Sequence, residues 1–416
     1  MVARPAAYDI AKHTPSECGK NSLINSKFSL LLIRLIEYLW SFISTHTIFG
    51  DALEMVQKTP FDFFLDLKRQ QKFRLIHKTV HNITDNNQCL AILENTKTYK
   101  KGIAWLPVSY VIGEGIFTDI DHFKHACQRS EMFALNRTRV NNFDYGYLSH
   151  MYIDELLQNA DDTKHVILKY VEHIMLDMFI CNLSIEPEHI EQISRRIPRI
   201  LKFLNNKSFG SAIIPLSILK YLHNDAREYY DDVMYIKKFA VSLDPNCDPE
   251  LVMPILFAAS TLANLIVWMI LELSLDPNLQ DEIKSDDNSK LNKVINEVWR
   301  LYPPIWAHPR QSAENKDLYF VNMFARNRMV EYAGENPNDF SIERDTPLPS
   351  RMFGASNYSC PGQRMSRDII TAFFSELLER GTICTDAVFP IQMKSETALT
   401  PRDTFRTKCT RDDPGI

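Results

Sequence analysis

From Leu251 to Leu271 the chain runs for 21 residues without a charge. Two structures tolerate such a run. One is a membrane span, which needs ~20 predominantly apolar residues; the other is a helix buried on every side at the centre of a helical protein. Ser260, Thr261 and Asn264 lie in mid-run and Pro254 near its start. Neither a second span nor a flanking basic cluster accompanies it, so the usual marks of an inserted helix are missing. The run reads as the central buried helix of a folded domain.

The remaining pattern agrees with a helical protein. Glycine occurs only 12 times, where average usage of ~7% would give about 29, and all-β folds with many glycine-dependent turns are disfavoured. Helical periodicity recurs at 150–183, 187–205, 212–242, 251–275, 290–301 and 363–380. Asp248-Pro249 and Asp276-Pro277 have the form of helix starts. Extended candidates are Ser109–Ile112, Leu318–Met323 and a tail, Ile391–Cys409, broken by Thr400-Pro401 as hairpins often are. The stretch 302–350 is Pro-rich and reads as a long ordered loop. The expected fold is mainly α with a small β component. Residues 1–27 form a flexible N-terminal arm in this reading, and 28–416 a single domain.

Charge and cysteine usage narrow the function classes. Lys and Arg number 47 against 52 Asp and Glu, a net charge of −5, so a nucleic-acid partner is not expected. Eight cysteines form no CxxC pair and are too sparse for a disulfide scaffold. A reducing, cytoplasmic setting follows. The first twenty residues carry charges and no apolar core, so no signal peptide is expected there. Phe28–Ile43 is apolar but short and carries Arg34 and Glu37. It reads as a helix packed on the protein or lying in a membrane interface, and membrane contact is expected through this 28–43 helix alone.

Chemistry is concentrated where Cys360 stands on a loop with Pro361 and Gly362, ahead of the helical pattern 363–380. The positive end of that helix and its free N–H groups favour thiolate. A thiolate so held is a soft ligand for iron, including haem iron; an inert buried thiol is the bland alternative. Upstream, Glu297 and Arg300 share a helix face at i and i+3, a common pairing, just before Tyr302-Pro303-Pro304 ends the helix. Arg310 follows a further proline.

Together these residues resemble the cytochrome P450 family, whose haem loop reads F-x-x-G-x-[RH]-x-C-x-G. Here Phe353, Ser356, Tyr358, Cys360 and Gly362 stand at those positions. The family's E-x-x-R falls on Glu297 and Arg300, and its central-helix motif on Phe257-Ala258-Ala259-Ser260-Thr261-Leu262-Ala263-Asn264. Gly113–His122 resembles the approach to the family's C helix. The resemblance covers roughly residues 50–410, with short spacings like those of soluble bacterial members. It implies a single haem domain holding haem b (iron protoporphyrin IX). Cys360 would be the iron ligand, and Ala258, His122, Arg310, Phe353 and Tyr358 would contact the cofactor. Thr261 and Ser260 would be the catalytic pair on the distal side.

Departures accompany the matches. Ser356 replaces a glycine in a tight turn, and Tyr358 replaces a cation that would meet a haem propionate. Ala126 stands where an arginine is expected, leaving Lys124 or Arg129 as substitutes. The meander P-x-R-F reads Pro337-Asn338-Asp339-Phe340, leaving Arg328 or Arg344 to complete the Glu297–Arg300 pair. Ser260 replaces an acid, and a hydroxyl is a poor proton source near neutral pH. The resemblance therefore implies a monooxygenase. It would insert one oxygen atom into a small hydrophobic substrate, with electrons from a ferredoxin or flavoprotein reductase. The loss of the acid leaves two rivals: a peroxide-using or hydroperoxide- or endoperoxide-rearranging enzyme, and a non-catalytic haem-binding protein.

Overall fold

The charge-free run forms most of a 26-residue helix, Pro249–Ser274. Among the described residues, Ile255–Ser274 is the one segment long and apolar enough to cross a membrane. Its side chains are packed inside the protein instead: every residue from Leu265 to Leu271 is buried. The computed structural model describes residues 72–75, 78–101, 130, 143–159, 162–178, 185–200, 224–243, 245, 249–286, 288–344, 353–391, 393–396 and 398–410. All of them fall in the unit Ile48–Ile416. The expected arm 1–27, the 28–43 helix and the strand 109–112 lie outside the described residues, as do positions 179–183, 201–205 and 212–223 of the expected helical stretches.

In chain order, strands β1 (Lys72–Leu75) and β2 (Lys78–Ile83) lead to helix α1 (Asn86–Glu94) and strand β3 (Tyr99–Lys100). Next come α2 (Tyr145–Asn159), α3 (Thr163–Leu176), α4 (Pro187–Ser194), α5 (Asn224–Leu243) and the central helix, α6. Helices α7 (Pro277–Lys284) and α8 (Ser289–Leu301) precede strands β4 (Ala307–Ser312) and β5 (Leu318–Asn322). Two short helices, α9 (Met323–Arg326) and α10 (Val330–Ala333), follow. Helix α11 (Gln363–Glu379) and strands β6 (Thr382–Thr385), β7 (Met393–Glu396), β8 (Ala398–Pro401) and β9 (Thr407–Thr410) complete the described chain.

Aspartates set three of the helix starts. The side chains of Asp85, Asp162 and Asp276 accept from the backbone N–H of Gln88, Lys164 and Leu279, which satisfies donors that no helix turn can reach. The cap at Asp162 explains why the periodicity over 150–183, expected as one helix, is divided into α2 and α3. Helix α8 stops at Tyr302 because the two prolines behind it cannot continue the ladder.

Strands β1-β2-β5-β4-β3 form a sheet in that order. The β2–β5 pairing is parallel and the others antiparallel. Sequence reading found β5 but took β4 for loop, because Pro309 in its middle lacks a ladder donor. In the tail, β7 and β8 form a hairpin in which Pro401 pairs with Met393. Thr400-Pro401 is therefore the end of a strand and not the break that was expected. Around α6 the main core gathers α2, α3, α8 and α11, and a second cluster joins α4, α5 and the first turns of α6. Trp268 of α6 stacks on Tyr302, ring centres 4.0 Å apart, and fixes the end of α8. Gln280 fixes α7 to β6, accepting from Ile383 N–H at 2.7 Å and donating to Ile383 and Leu273 carbonyls.

Candidate active site

The loop before α11 closes on itself around Cys360. Cys360 N–H donates to Phe353 O at 2.5 Å, and Tyr358 N–H to Ala355 O at 3.0 Å, through a short 3-10 turn, Ser356–Tyr358. Gly354 takes φ +77°, and a Cβ there would lie 2.5 Å from Tyr358 O, so only glycine fits. Ser356 also has positive φ, +50°, which costs a residue with a Cβ roughly 1–2 kcal/mol. The bulk expected to crowd this turn points outward instead: Ser356 is exposed, and its Oγ donates to Glu94 O at 3.3 Å. Gly362 N–H donates to Cys360 Sγ at 3.3 Å. A sulfur that receives a backbone N–H at a helix start is held as a thiolate would be.

Two of the sequence motifs meet beside this loop. Phe353 packs edge-on against Trp299, ring centres 4.6 Å apart, and the guanidinium of Arg367 from α11 lies over the same indole at 4.6 Å. Trp299 sits between Glu297 and Arg300 at the end of α8. That pair is bidentate and buried: Arg300 Nε and Nη2 donate to Glu297 at 2.7 Å each. The third member is Arg344, whose Nε donates to Glu297 Oε1 at 3.0 Å. Asp339, at the family's arginine position, contributes its backbone carbonyl to both Arg300 and Arg344. Arg328 is turned elsewhere, to the carbonyls of Leu301 and Phe324.

Arg310, on β4, is buried, and its Nε has no hydrogen-bond partner among the described residues. Burial pushes its pKa down to about 10, with the Tyr358 hydroxyl opposing that shift. Its guanidinium lies 4.9 Å from the centre of the Tyr358 ring. A buried cation of this kind calls for an anion. The expected contact His122 and the position Ala126 lie outside the described residues.

On α6, Phe257, Ala258, Thr261 and Asn264 are only half-buried, while Ala259, Ser260, Leu262 and Ala263 are buried. The half-buried set has the spacing of one helix face, open in the middle of a core helix. Thr261 Oγ1 donates to Ala258 O at 2.7 Å and Ser260 Oγ to Phe257 O at 2.8 Å. Both hydroxyl protons are thus engaged with their own helix, and Ser260 lies off the open face.

These observations fit a haem: an N–H-supported sulfur, a buried cation lacking an anion, and an accessible face on a core helix. Among the described residues no three His, Cys, Asp or Glu side chains converge as metal ligands. The lone sulfur therefore suits an iron that brings its other ligands with it. Sequence reading missed Gly354 and the choice of Arg344. Gly354 directly after the motif phenylalanine was a visible signal; for Arg344 there was none.

No family model matches the chain. It is similar to a cytokinin hydroxylase of Arabidopsis thaliana, 28% identical over 142 residues, covering 28% of this chain and 27% of that protein. It is also similar to a thromboxane-A synthase of Rattus norvegicus, 26% identical over 132 residues, covering 27% and 25% respectively. The chain thus spans about a quarter of the length of these curated relatives. Among solved structures, the cytochrome P450DA haem domain superposes with a TM-score of 0.69 at 12% identity, over 89% of this chain and 97% of that one. A six-coordinated cytochrome P450 from Thermus thermophilus gives 0.63 at 17% identity, over 84% and 98%.

Proposed function

From a chain with the fold of the cytochrome P450 haem domains, we propose a haem-thiolate monooxygenase. It inserts one oxygen atom from dioxygen into a small hydrophobic substrate, with electrons from a ferredoxin or flavoprotein reductase, in the cytoplasm. The observation that carries this reading is the Cys360 sulfur, which receives Gly362 N–H at the start of α11. Haem b bound there would supply the activation of dioxygen, with thiolate donation from Cys360 favouring O–O cleavage.

The chain's own residues do the rest. Arg310 and His122 would pair with the carboxylates of the cofactor, and Phe353 and Tyr358, on the same loop as Cys360, would contact it. Ala258 leaves space on the open face of α6. Thr261 on that face orients a proton-carrying water once its hydroxyl turns away from Ala258 O, and Ser260 is at most a relay behind it. Apolar Phe257 and Ala258 favour an apolar substrate.

The test is the carbon monoxide complex of the reduced protein. Wild type shows the red-shifted Soret band of thiolate ligation, and Cys360→Ser loses it while keeping its helical circular dichroism. If the variant retains the band, another cysteine is the ligand and this reading fails.

A second reading, a peroxide-using or rearranging enzyme, is favoured by the two engaged hydroxyls and the absence of an acid at Ser260. The relatives do not choose between the two, one being named a hydroxylase and the other a synthase. Turnover with a reductase system but not with peroxide supports the first; the reverse supports the second.

A further inference from the structure

Helix α11 carries two arginines in its first turns, and their surroundings differ. Arg364 is 79% exposed and lies 3.8 Å from Asp368. Arg367 is half-buried, and burial lowers its pKa. It donates to two neutral oxygens one turn apart on α8, those of the Asn292 side chain at 3.2 Å and the Asn296 side chain at 2.6 Å. Neither neutralises it. The carboxylate next to Asn296 is engaged elsewhere, since Glu297 accepts from Arg300 and Arg344. The guanidinium rests instead on the Trp299 ring, 4.6 Å away and itself buried, and indole is the strongest of the ring platforms for a cation. Side chains of a helix lean toward its N-terminus, so Arg367 leans back toward the loop of Cys360. On its edge the Trp299 ring meets Phe353, whose carbonyl receives Cys360 N–H. Cation, indole, phenyl ring and sulfur loop thus follow one another in contact.

We propose that Arg367 raises the reduction potential of the haem iron, with Trp299 as the platform that holds its charge near the Cys360 sulfur. One electron from the reductase converts ferric iron to ferrous and adds one negative charge beside the thiolate. A fixed cation favours the reduced state, and more strongly where water is partly excluded than where it is not. Arg367 touches neither iron nor substrate; it is a positioning residue that acts through its charge. This inference rests on the haem-thiolate reading of Cys360 and adds the control of how readily that site accepts its electron.

The experiment is a spectroelectrochemical titration of the full, haem-loaded chain. It compares wild type, Arg367→Met, Arg367→Lys, Asn296→Asp and the exposed neighbour Arg364→Met. Arg367→Met should make reduction about tenfold less favourable, the order expected for a unit charge about 10 Å away at an effective dielectric constant of about 20. For a one-electron couple that is a fall of ~59 mV. Asn296→Asp should lower the potential in the same sense, because it sets a carboxylate where Arg367 now finds a neutral oxygen and leaves the arginine in place. Arg367→Lys keeps the charge and should stay near wild type, as should Arg364→Met, whose charge is screened by water. An unchanged potential in Arg367→Met or in Asn296→Asp overturns the proposal. So does Arg367→Lys falling as far as Arg367→Met, because packing is then the cause, or an equal fall in Arg364→Met, because net charge is. Should Arg367→Met hold no haem, Asn296→Asp decides by the same criterion. A wild type without the thiolate carbon monoxide band overturns the parent reading as well. A normal band with potentials indifferent to Arg367 overturns this one alone.

Discussion

Glu172 of α3 is fully enclosed, and its carboxyl accepts from Ser194 Oγ while Oε1 has no partner among the described residues. Burial pushes its pKa up to about 8 from 4.5, against the Ser194 hydrogen bond. The folded chain therefore keeps a proton there that the unfolded chain has lost, and stability falls as pH rises from 4.5 through 8. The neighbours act lower down. Burial holds His173 at about 4, and its contribution is lost as pH falls below 6.5; Asp177 is raised to about 6. Of these three groups, Glu172 alone acts between 6.5 and 8. At ~1.4 kcal/mol per pKa unit, that window is worth about 2 kcal/mol. Glu172→Gln should flatten the urea-derived stability across it and be the more stable protein at pH 8; an unchanged slope would show that the carboxyl is not its source. Nothing in the sequence marks this residue, because its enclosure depends on Ser194, which belongs to another helix. Cys360 was legible for the opposite reason: its loop and the helix behind it are contiguous.

At the scale of elements, α6, α8 and α11 were readable within a few residues. Their limits are set by local signals, an Asp-Pro start, a Pro-Pro stop and a Pro-Gly loop. Strand β4 was not, since Pro309 interrupts its pattern and its outer partner β3 lies some two hundred residues earlier in the chain. Arg344 shows the same limit, and it carries a prediction. Its guanidinium meets Glu297 and the carbonyls of Ala333, Glu335, Asn336 and Asp339. Removing one partner of a buried charge network costs about 3 kcal/mol or more. Arg344→Met should lower the urea-derived stability by that amount, and Arg328→Met by clearly less. The reverse order would move the third partner of Glu297 to Arg328.

For the whole molecule, a helical fold around one apolar helix was legible, because a charge-free run of that length has few other uses in a folded chain. The strand that brings Arg310 to the Tyr358 ring was not. Ligand linkage follows from that buried arginine: anything that binds only the folded chain stabilises it, by ~2.7 kcal/mol at a hundredfold excess over its dissociation constant. Calorimetry of haem-stripped and reconstituted protein should show a thermal midpoint several degrees higher with haem, rising further with free haem concentration. Identical midpoints would mean that the buried cation of Arg310 has no anion to gain.

The segment from Asn327 to Asp339 meets its two arginines through main-chain oxygens, those of Asn327 and Pro337 included. Every residue type carries such an oxygen. In a saturation-mutagenesis map, Glu335 and Asp339 should therefore tolerate most replacements, while Glu297, Arg300 and Arg344 tolerate almost none. A stretch that is anchored yet free to drift in sequence explains how an arginine could leave one position of the meander and be replaced from another without the fold losing its shape.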